Sequence, residues 1–505
     1  MIVPLGKWRP DRIPYELNAG DLVNALNVIP VAGQKYIPMR DLLDYSTGAI
    51  AAGQQAICGQ EFLAADQNYY SIIGTSGKLY RLNPDKSLSD VSNGAYTAGG
   101  LWNFAKFGNW IIATDFSDVP QILKGLDTAP AFQALGGSPP NAKYCLFYKG
   151  YLILGYVSES GVVSPQKVRY SAIENVEKWI ADGETYVDTG QDLADALGAI
   201  TGLANLGSLF AVFHESSITL GYLVTDGIDT FGFDSNSVKN VGCEYPGSII
   251  TVANTAYFWG NDNNIYSFDG SNLTPLGNDI RLSVIANCAV AYRDKVASAY
   301  DPQSGIIYWV FPSTGSSDGT PDNMLLYNIG EDRFSLVQMK MQGIFNIHTG
   351  GQTFESLASA GYASIEDLPY QLDSAWYQGN AIALAGINPT TGKVALHAGK
   401  VMSGTLETGD FSAPDAPAKG MQSGDIMTVT GVRPRVYQAI DPVDVSIGGY
   451  FNEGDAVSYS APIAVDSNGY ADVLVKARYL RCKITTGDHG GIAAIDVKYQ
   501  RGSRW

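Results

Sequence analysis

The chain has 505 residues, of which 45% are hydrophobic and 16% are charged, with 33 basic and 50 acidic residues. This length predicts two or three domains rather than one core, and the composition excludes intrinsic disorder. The net charge of −17 argues against a protein that grips DNA phosphates, because DNA-binding surfaces are basic. It does not argue against a protein that surrounds DNA without binding it.

The cysteines and the N-terminus indicate folding in a cytoplasm. Five cysteines lie far apart without a CxxC pair, which predicts reduced core thiols and neither disulfides nor a metal site. The first ten residues lack the pattern of a signal peptide. No apolar run approaches the roughly 18 residues that a membrane-spanning helix needs. We therefore expect synthesis in a cytoplasm, no membrane-spanning segment and no cofactor.

Residues 1–54 predict an irregular N-terminal arm. Prolines interrupt the segment, and each lacks the N–H that a helix or a strand ladder requires. They are Pro4, Pro10, Pro14, Pro30 and Pro38. Only residues 21–26 suggest a short helical turn, with Asp21 as its cap. We expect such a segment to run over the surface of either its own propeller or a neighbouring subunit.

Residues 55–375 predict a β-propeller. Short apolar strands joined by turns rich in Gly, Asn and Asp recur about every 35 to 50 residues, a spacing typical of propeller blades. The hairpins are 69–74 with 79–82, 103–107 with 110–114, 144–148 with 151–154, 255–259 with 265–268, and 296–300 with 306–311. They indicate six or seven blades, with short helices expected only at 172–181 and 191–197.

Composition changes again near residue 375. Residues 376–430 are rich in Gly, Ala, Thr and Pro and predict a linker and extension. Residues 431–505, with strand alternation that already begins at 426, predict a small antiparallel β-sandwich. The expected strands are 426–430, 433–439, 443–451, 456–461, 471–475, 480–485 and 492–500. The chain as a whole is therefore expected to be all-β, with more than about 35% strand.

The sequence contains no motif typical of a catalytic site. The four histidines, His214, His348, His397 and His489, are far apart, and each is interpreted as a core or surface residue. Residues 316–320 (SSDGT) resemble an Asp-box but are better explained as a turn. Residues 262–269 carry oxygen ligands of the kind calcium prefers but lack an EF-hand pattern, so a hairpin turn is favoured. We predict no catalytic, cofactor-binding or metal-binding residues.

The two ends of the chain carry the candidate docking residues. The chain closes on Arg501, Arg504 and Trp505, whereas free tails are usually polar and frayed. With Trp8 and Arg9 of the N-terminal arm, these are the candidate contacts to a neighbouring subunit. The alternative is that both ends fold back on their own subunit.

Several short motifs carry a resemblance to a known family. They are residues 6–11 (GKWRPD), 25–30 (ALNVIP), 168–172 (VRYSA), 207–218 (GSLFAVFHESSI), 431–434 (GVRP), 477–481 (ARYLR) and 497–504 (VKYQRGSR). They resemble the tail nozzle, or packaged-DNA-stabilising, proteins of short-tailed phages. The resemblance implies a homo-hexameric ring in the virion tail, with portal and adaptor proteins above it and plug, needle or fibre proteins below. Double-stranded DNA would pass through the ring without sequence-specific binding, and no catalytic residue comes with the family.

Two other functions remain open from the residues alone. A propeller enzyme acting on glycans would need carboxylates and arginines around the propeller axis. A glycan- or receptor-binding module would need an aromatic patch on one propeller face. The structural tail subunit remains the favoured interpretation.

Overall fold

The computed structural model describes residues 1–97, 101–182, 189–224, 229–351, 364, 379, 381–412, 426–452 and 454–501. About half of the chain, 53%, is strand and 3% is helical, which confirms the all-β prediction. Within the described ranges the helical residues form four short 3-10 helices, at Pro14–Glu16, Pro246–Ser248, Ile285–Asn287 and Val290–Lys295. Among the described residues, no helix is long and apolar enough to cross a membrane.

Five strands lie in the N-terminal segment. They are β1 (Ile2–Pro4), β2 (Leu22–Leu26), β3 (Val28–Val31), β4 (Lys35–Pro38) and β5 (Leu43–Ala49). Strands β3 and β4 form a local hairpin, but β1, β2, β4 and β5 pair with strands hundreds of residues away, so most of this segment gains its order from tertiary pairing.

Seven four-stranded antiparallel units, here called blades 1 to 7, follow in chain order. Blade 1 contains β6 (Ala56–Leu63), β7 (Tyr69–Thr75), β8 (Leu79–Leu82) and β9 (Leu88–Asp90). Blade 2 contains β10 (Asn103–Phe107), β11 (Trp110–Thr114), β12 (Gln121–Lys124) and β13 (Gln133–Ala134). Blade 3 contains β14 (Asn141–Tyr148), β15 (Tyr151–Glu159), β16 (Val162–Tyr170) and β17 (Gly190–Asp192). Blade 4 contains β18 (Ile200–Asn205), β19 (Phe210–His214), β20 (Ser217–Leu223) and β21 (Phe231–Lys239).

The remaining blades complete the ring. Blade 5 contains β22 (Ile250–Val252), β23 (Thr255–Trp259), β24 (Ile265–Phe268) and β25 (Leu273–Pro275). Blade 6 contains β26 (Ala297–Asp301), β27 (Ile306–Phe311), β28 (Asn323–Asn328) and β29 (Arg333–Gln338). Blade 7 contains β30 (Gln342–His348), β31 (Ile382–Ile387), β32 (Lys393–Leu396) and, from the N-terminal segment, β5. The fold is a seven-bladed β-propeller.

Blade 7 closes the propeller by combining two distant parts of the chain. Strand β5 pairs antiparallel with β32, with Leu43 opposite Leu396. Between blades 7 and 1, the ring of Phe345 packs on Gly59, where a Cβ atom would lie 2.3 Å from the ring. A glycine is therefore required there so that the innermost strands of the two blades can approach each other closely.

A β-sandwich is fused to blade 6. Its later strands are β33 (Gly404–Thr408), β34 (Met427–Ala439), β35 (Val443–Tyr450), β36 (Ser458–Tyr459), β37 (Ile463–Ala464), β38 (Ala471–Ala477), β39 (Tyr479–Thr486) and β40 (His489–Arg501). One sheet has the order β3-β4-β40-β34-β38, with β1 also paired to β40. The other continues the sheet of blade 6 through β29-β2-β33-β39-β35-β36, with β37 also paired to β35.

One hydrophobic core runs from the propeller into the sandwich. The same cluster of buried side chains contains Phe258 of blade 5, Trp309 of blade 6 and Ile495 of β40. Trp309 is fully buried, and its indole N–H donates to the carbonyl oxygen of Ser248 at 2.9 Å. Each large apolar side chain buried in this way contributes roughly 1.5–3 kcal/mol. The shared core and the shared sheet join the two parts into one body.

The observed segments differ from the expected boundaries in four places. Residues 1–54 are not irregular, because their strands pair with the sandwich and with blade 7. Residues 22–26 form strand β2 rather than a helical turn. Blade 7 extends beyond residue 375, to Leu396, and strand β33 lies within the expected linker. The short helices expected at 172–181 and 191–197 are absent from the described residues there, which contain turns and strand β17.

Candidate functional site

The docking candidate Trp8 is a core residue of its own subunit. Its side chain is 5% exposed within the shared core, and its indole N–H donates to the carbonyl oxygen of Val23 at 3.2 Å. Tryptophan at this depth is held by apolar contact together with a hydrogen bond for its one polar group. The ring of Trp8 is therefore buried away from any neighbouring subunit.

Arg9 and the residues after it bind the connection between blades 5 and 6. Arg9 lies within 3.5 Å of the carboxylates of Asp21 and Asp279. Asp11 accepts hydrogen bonds from the backbone N–H groups of Leu282 and Ser283, at 2.7 and 2.8 Å. This geometry favours the alternative in which the N-terminal segment folds back on its own subunit.

The C-terminal docking candidates lie largely outside the residues that the structure describes. Arg501 ends strand β40, but its side chain lies outside the described residues, as do Arg504 and Trp505. The strand before them is internal to the subunit, since β40 pairs with β1, β4 and β34. Docking of the last residues on a neighbour stays a prediction.

The two acidic loops that suggested ligands form turns. Asp318 accepts hydrogen bonds from the N–H and the hydroxyl of Thr320, both at 3.0 Å. Asp262 accepts hydrogen bonds from the N–H of Asn264 at 3.1 Å and the hydroxyl of Tyr266 at 2.8 Å. Both carboxylates are occupied in stabilising loop geometry.

The histidines and cysteines lie mainly in structural surroundings. Burial lowers the pKa of His214 and of His397 to about 4. His348 contacts the carboxylate of Glu61 at 2.5 Å on the blade 7–blade 1 boundary. The five cysteines are free and four are buried, and burial raises the pKa of Cys145 to about 12. Such thiols stay protonated and unreactive at neutral pH.

The propeller axis itself is narrow. Its pocket has a volume of about 190 Å³ and is lined by residues of the innermost strands and the segments that precede them. Ile57, Leu203, Ile249 and Ile344 line it from four different blades. A DNA duplex, whose major groove alone is about 12 Å wide, cannot pass through this space.

A second pocket, here called the upper-face pocket, opens beside the axis. Its volume is about 380 Å³. Its lining comes from turns that follow the second strand of a blade, from connections between blades, and from residues of strands β14, β15 and β18 next to them. The polar and aromatic lining residues are Asp115, Phe116, Ser117, Lys143, Tyr144, Tyr156, Thr201, Glu215, Glu244, Arg293 and Asp294.

Aromatic and charged side chains of blades 2 and 3 are stacked in this pocket. The rings of Phe116 and Tyr156 meet edge to face with centroids 5.1 Å apart. The ammonium group of Lys143 lies 3.8 Å from the centroid of the Tyr156 ring. Across the pocket, Arg293 pairs with Glu244 at 2.8 Å. Residue spacing could not reveal this arrangement, because each blade contributes only one or two of its members.

Asp115 is a buried acid of the pocket, and its pKa is raised. It is 4% exposed, and its Oδ1 accepts the N–H of Asp118 at 3.0 Å. Burial raises the pKa of Asp115 to about 6, and the neighbouring Asp118 carboxylate adds to the rise. Perturbed acids in clefts are typical of functional sites, although packing alone also produces them.

We expect Asp115 to make stability depend on pH. Because its folded-state pKa of about 6 lies above the unfolded value, the folded chain binds the proton more tightly. The free energy of unfolding should therefore fall by roughly 1–3 kcal/mol as pH rises from about 4 to 6, and stay lower above that. Asp115→Asn should remove this part of the dependence and raise the melting temperature at pH 7.5 but not at pH 4. Parallel melts of both proteins that keep the same difference at every pH would contradict the assignment.

The comparisons with known proteins reach only as far as the fold. No protein-family model matches this sequence, and no curated protein sequence matches it. One similar solved structure is YCF48 bound to a D1 peptide, at 10% identity and a TM-score of 0.35, covering 59% of this chain and 86% of that one. Another is the C-terminal WD40 domain of Sif2, at 11% identity and a TM-score of 0.33, covering 78% of this chain and 97% of that one. A third is a fungal alcohol oxidase of the AA5 family in complex with copper, at 9% identity and a TM-score of 0.42, covering 92% and 99%.

These likenesses are too distant to carry a functional argument, and no enzyme family is identified. The propeller assignment rests on the strand order of the seven blades.

Proposed function

We propose that this chain is a structural, non-enzymatic subunit of a phage tail. It would form the nozzle or hub ring below the portal and adaptor, through which the packaged genome is retained and then ejected. The proposal begins from the sequence motifs that resemble tail nozzle proteins of short-tailed phages. It places the protein in the virion tail, in a ring of about six copies.

The observation that carries the proposal is the fusion of the sandwich to blade 6. The blade 6 sheet continues without a break into the sandwich, so one continuous sheet joins the two unlike ends of the subunit. In a seven-bladed ring, blades 2 and 3 lie across the axis from blade 6. A subunit with different surfaces at opposite ends suits a head-to-tail contact, which closes into a ring when repeated by rotation.

The two ends also differ in chemistry. Residues 1–425, which form all seven blades and the sandwich strands β1 to β4 and β33, carry 24 basic and 42 acidic residues, whereas residues 426–505, which form the other sandwich strands, carry nine basic and eight acidic. Blade 3 exposes several apolar side chains and an acidic one at different points of its surface: Val162 is 67%, Ile173 57% and Ile180 69% exposed, and Asp192 is also exposed. Exposed apolar groups with complementary charge are typical of interaction surfaces. We infer that blade 3 contacts the sandwich of the next subunit.

The DNA path follows from the closed propeller axis. Since the axis holds a pocket of about 190 Å³, the conduit in this proposal runs between subunits, along the axis of the ring. Its wall would be acidic, given the net charge of −17, and would repel the phosphates of the duplex. A wall of this kind lets DNA slide during ejection.

Electron microscopy of the purified protein, and of the particle that contains it, tests the proposal. We expect a closed ring of about six copies, each burying more than about 1,000 Å² against its neighbours. The double variant Ile173→Glu/Ile180→Glu should remain monomeric by light scattering, with an unchanged melting temperature. The matched control is Val290→Glu, because Val290 is 61% exposed but lies on the upper face and not at the edge. A particle in which the chain is a peripheral monomer would contradict the proposal.

The upper-face pocket favours binding of a glycan or receptor as a second candidate function. The two functions are compatible, because ring contacts involve the outer edges of the propeller whereas the pocket lies on its face.

A further inference from the structure

Two buried polar atoms without partners lie at one pocket. Among the described residues, Oδ2 of Asp115 and Oγ1 of Thr201 make no hydrogen bond, and both residues line the upper-face pocket. Asp115 is 4% exposed and Thr201 8% exposed. Buried polar atoms almost always have a partner, so each exception requires an explanation. Because both residues line the same cavity, the missing hydrogen bonds of these two atoms point to a partner from outside the chain.

The aromatic wall of the pocket is held in an unusual backbone conformation. Phe116 has φ of 72° and Tyr156 has φ of 58°, both in the left-handed region that bulky residues rarely enter. Such strain persists only where the surroundings enforce it, and it clusters at ligand sites. Here it turns two rings from neighbouring blades into the same pocket, with Lys143 above one of them.

The charges of the pocket select the ligand. Carboxylates of Glu215, Glu244 and Asp294 join Asp115 at the lining, so an anionic ligand would be repelled. Among the described residues no group of three or more His, Cys, Asp or Glu side chains is arranged to hold a metal ion. A neutral ligand with several hydroxyl groups satisfies both requirements, because hydroxyls donate to carboxylates and accept from an ammonium group.

We propose that the upper-face pocket binds a neutral saccharide. Hydroxyl groups of the sugar donate to Asp115 and Glu215 and accept from Lys143. Its apolar ring face packs on Tyr156 and Phe116. A volume of about 380 Å³ lies in the range of small-ligand sites and accommodates a short saccharide rather than a polymer.

Titration calorimetry on the full-length protein tests this site directly. The probes are glucose, galactose, mannose, N-acetylglucosamine and maltose, with N-acetylneuraminic acid as the anionic probe. We expect at least one neutral probe to bind with a millimolar or lower Kd. Tyr156→Ala and Lys143→Met should each weaken that binding at least tenfold. Tyr222→Ala, which removes a 44% exposed tyrosine from the opposite face, should leave it unchanged.

Each of three results would overturn the proposal. The first is that no neutral probe binds while the melting temperature shows a folded protein. The second is that only N-acetylneuraminic acid binds, which would make the site anion-selective. The third is a crystal structure soaked in the tightest probe in which Asp115 and Thr201 bond only to water. Because binding is measured on the isolated chain, failure of ring assembly would leave this test intact.

Discussion

Removal of residues 1–49 is expected to abolish cooperative folding of both the propeller and the sandwich. The deletion takes away β5, the outer strand of blade 7, and strands β1 to β4 of the sandwich sheets. It also removes Trp8, Leu22, Val28 and Tyr36, all 5% exposed or less. At roughly 1.5–3 kcal/mol each, these four side chains contribute roughly 6–12 kcal/mol, comparable with the 5–15 kcal/mol that stabilises a typical domain.

Circular dichroism melts of the truncated protein should show no cooperative transition. Co-expression of residues 1–49 as a separate peptide should restore one, because the missing strands re-enter the same sheets. Loss of residues 1–20 alone already removes Val3, Leu5 and Trp8 from the shared core. A truncated chain that melts cooperatively near the full-length temperature would refute the role given to this segment.

Replacement of Asp410 by alanine is expected to cost about 3–5 kcal/mol, because it leaves Arg481 buried without its partner. Oδ1 of Asp410 accepts the Nε–H of Arg481 at 2.6 Å, and Oδ2 accepts the hydroxyl of Tyr450. The side chains of Asp410 and Arg481 are only 4% and 15% exposed. Urea denaturation followed by intrinsic fluorescence measures the loss.

The matched control is Lys7→Ala, which breaks the exposed pair between Lys7 and Asp332. Exposed pairs contribute about 0–1 kcal/mol, so this variant should unfold close to the parent midpoint. The double variant Asp410→Leu/Arg481→Met should regain much of the stability, since two apolar side chains need no counter-ion. Equal losses of unfolding free energy in Asp410→Ala and Lys7→Ala would contradict the larger contribution expected of the buried pair.

Local signals predicted the hairpins well. Residues 103–107 with 110–114, and 255–259 with 265–268, form strands with the expected bounds. Short apolar strands joined by tight turns carry their own register, so the blade pattern can be read from neighbouring residues.

Pairing between distant strands had no such signal. Strand β5 lies opposite β32, about 350 residues later along the chain, and nothing in residues 43–49 specifies that partner. Pro30 suggested irregular chain, yet β3 pairs only with β4 at the edge of its sheet, where a missing N–H is tolerated. The strands of the arm were missed because tertiary pairing overrides local preference.

The candidate site could not be predicted from the sequence, because it too depends on contacts between distant parts of the chain. Asp115, Lys143 and Thr201 belong to blades 2, 3 and 4, and only the closed ring brings them to one pocket. Each lies at or near the end of a strand, a position shared by many residues of the chain. The docking candidate Trp8 was identified as important, but its partners are those of its own subunit.

The pairing of β1 with β40 delays completion of the fold during biosynthesis. Ile2 lies opposite Asp496, so its hydrogen-bonding partner is translated about 490 residues later. At about 5–20 residues per second, the first strand waits roughly 25 to 100 s for that partner. During this interval the pairing edges of β1 and β4 that β40 will occupy remain open on the nascent chain. We expect chaperone engagement to be greatest at this stage and to end abruptly once β40 emerges.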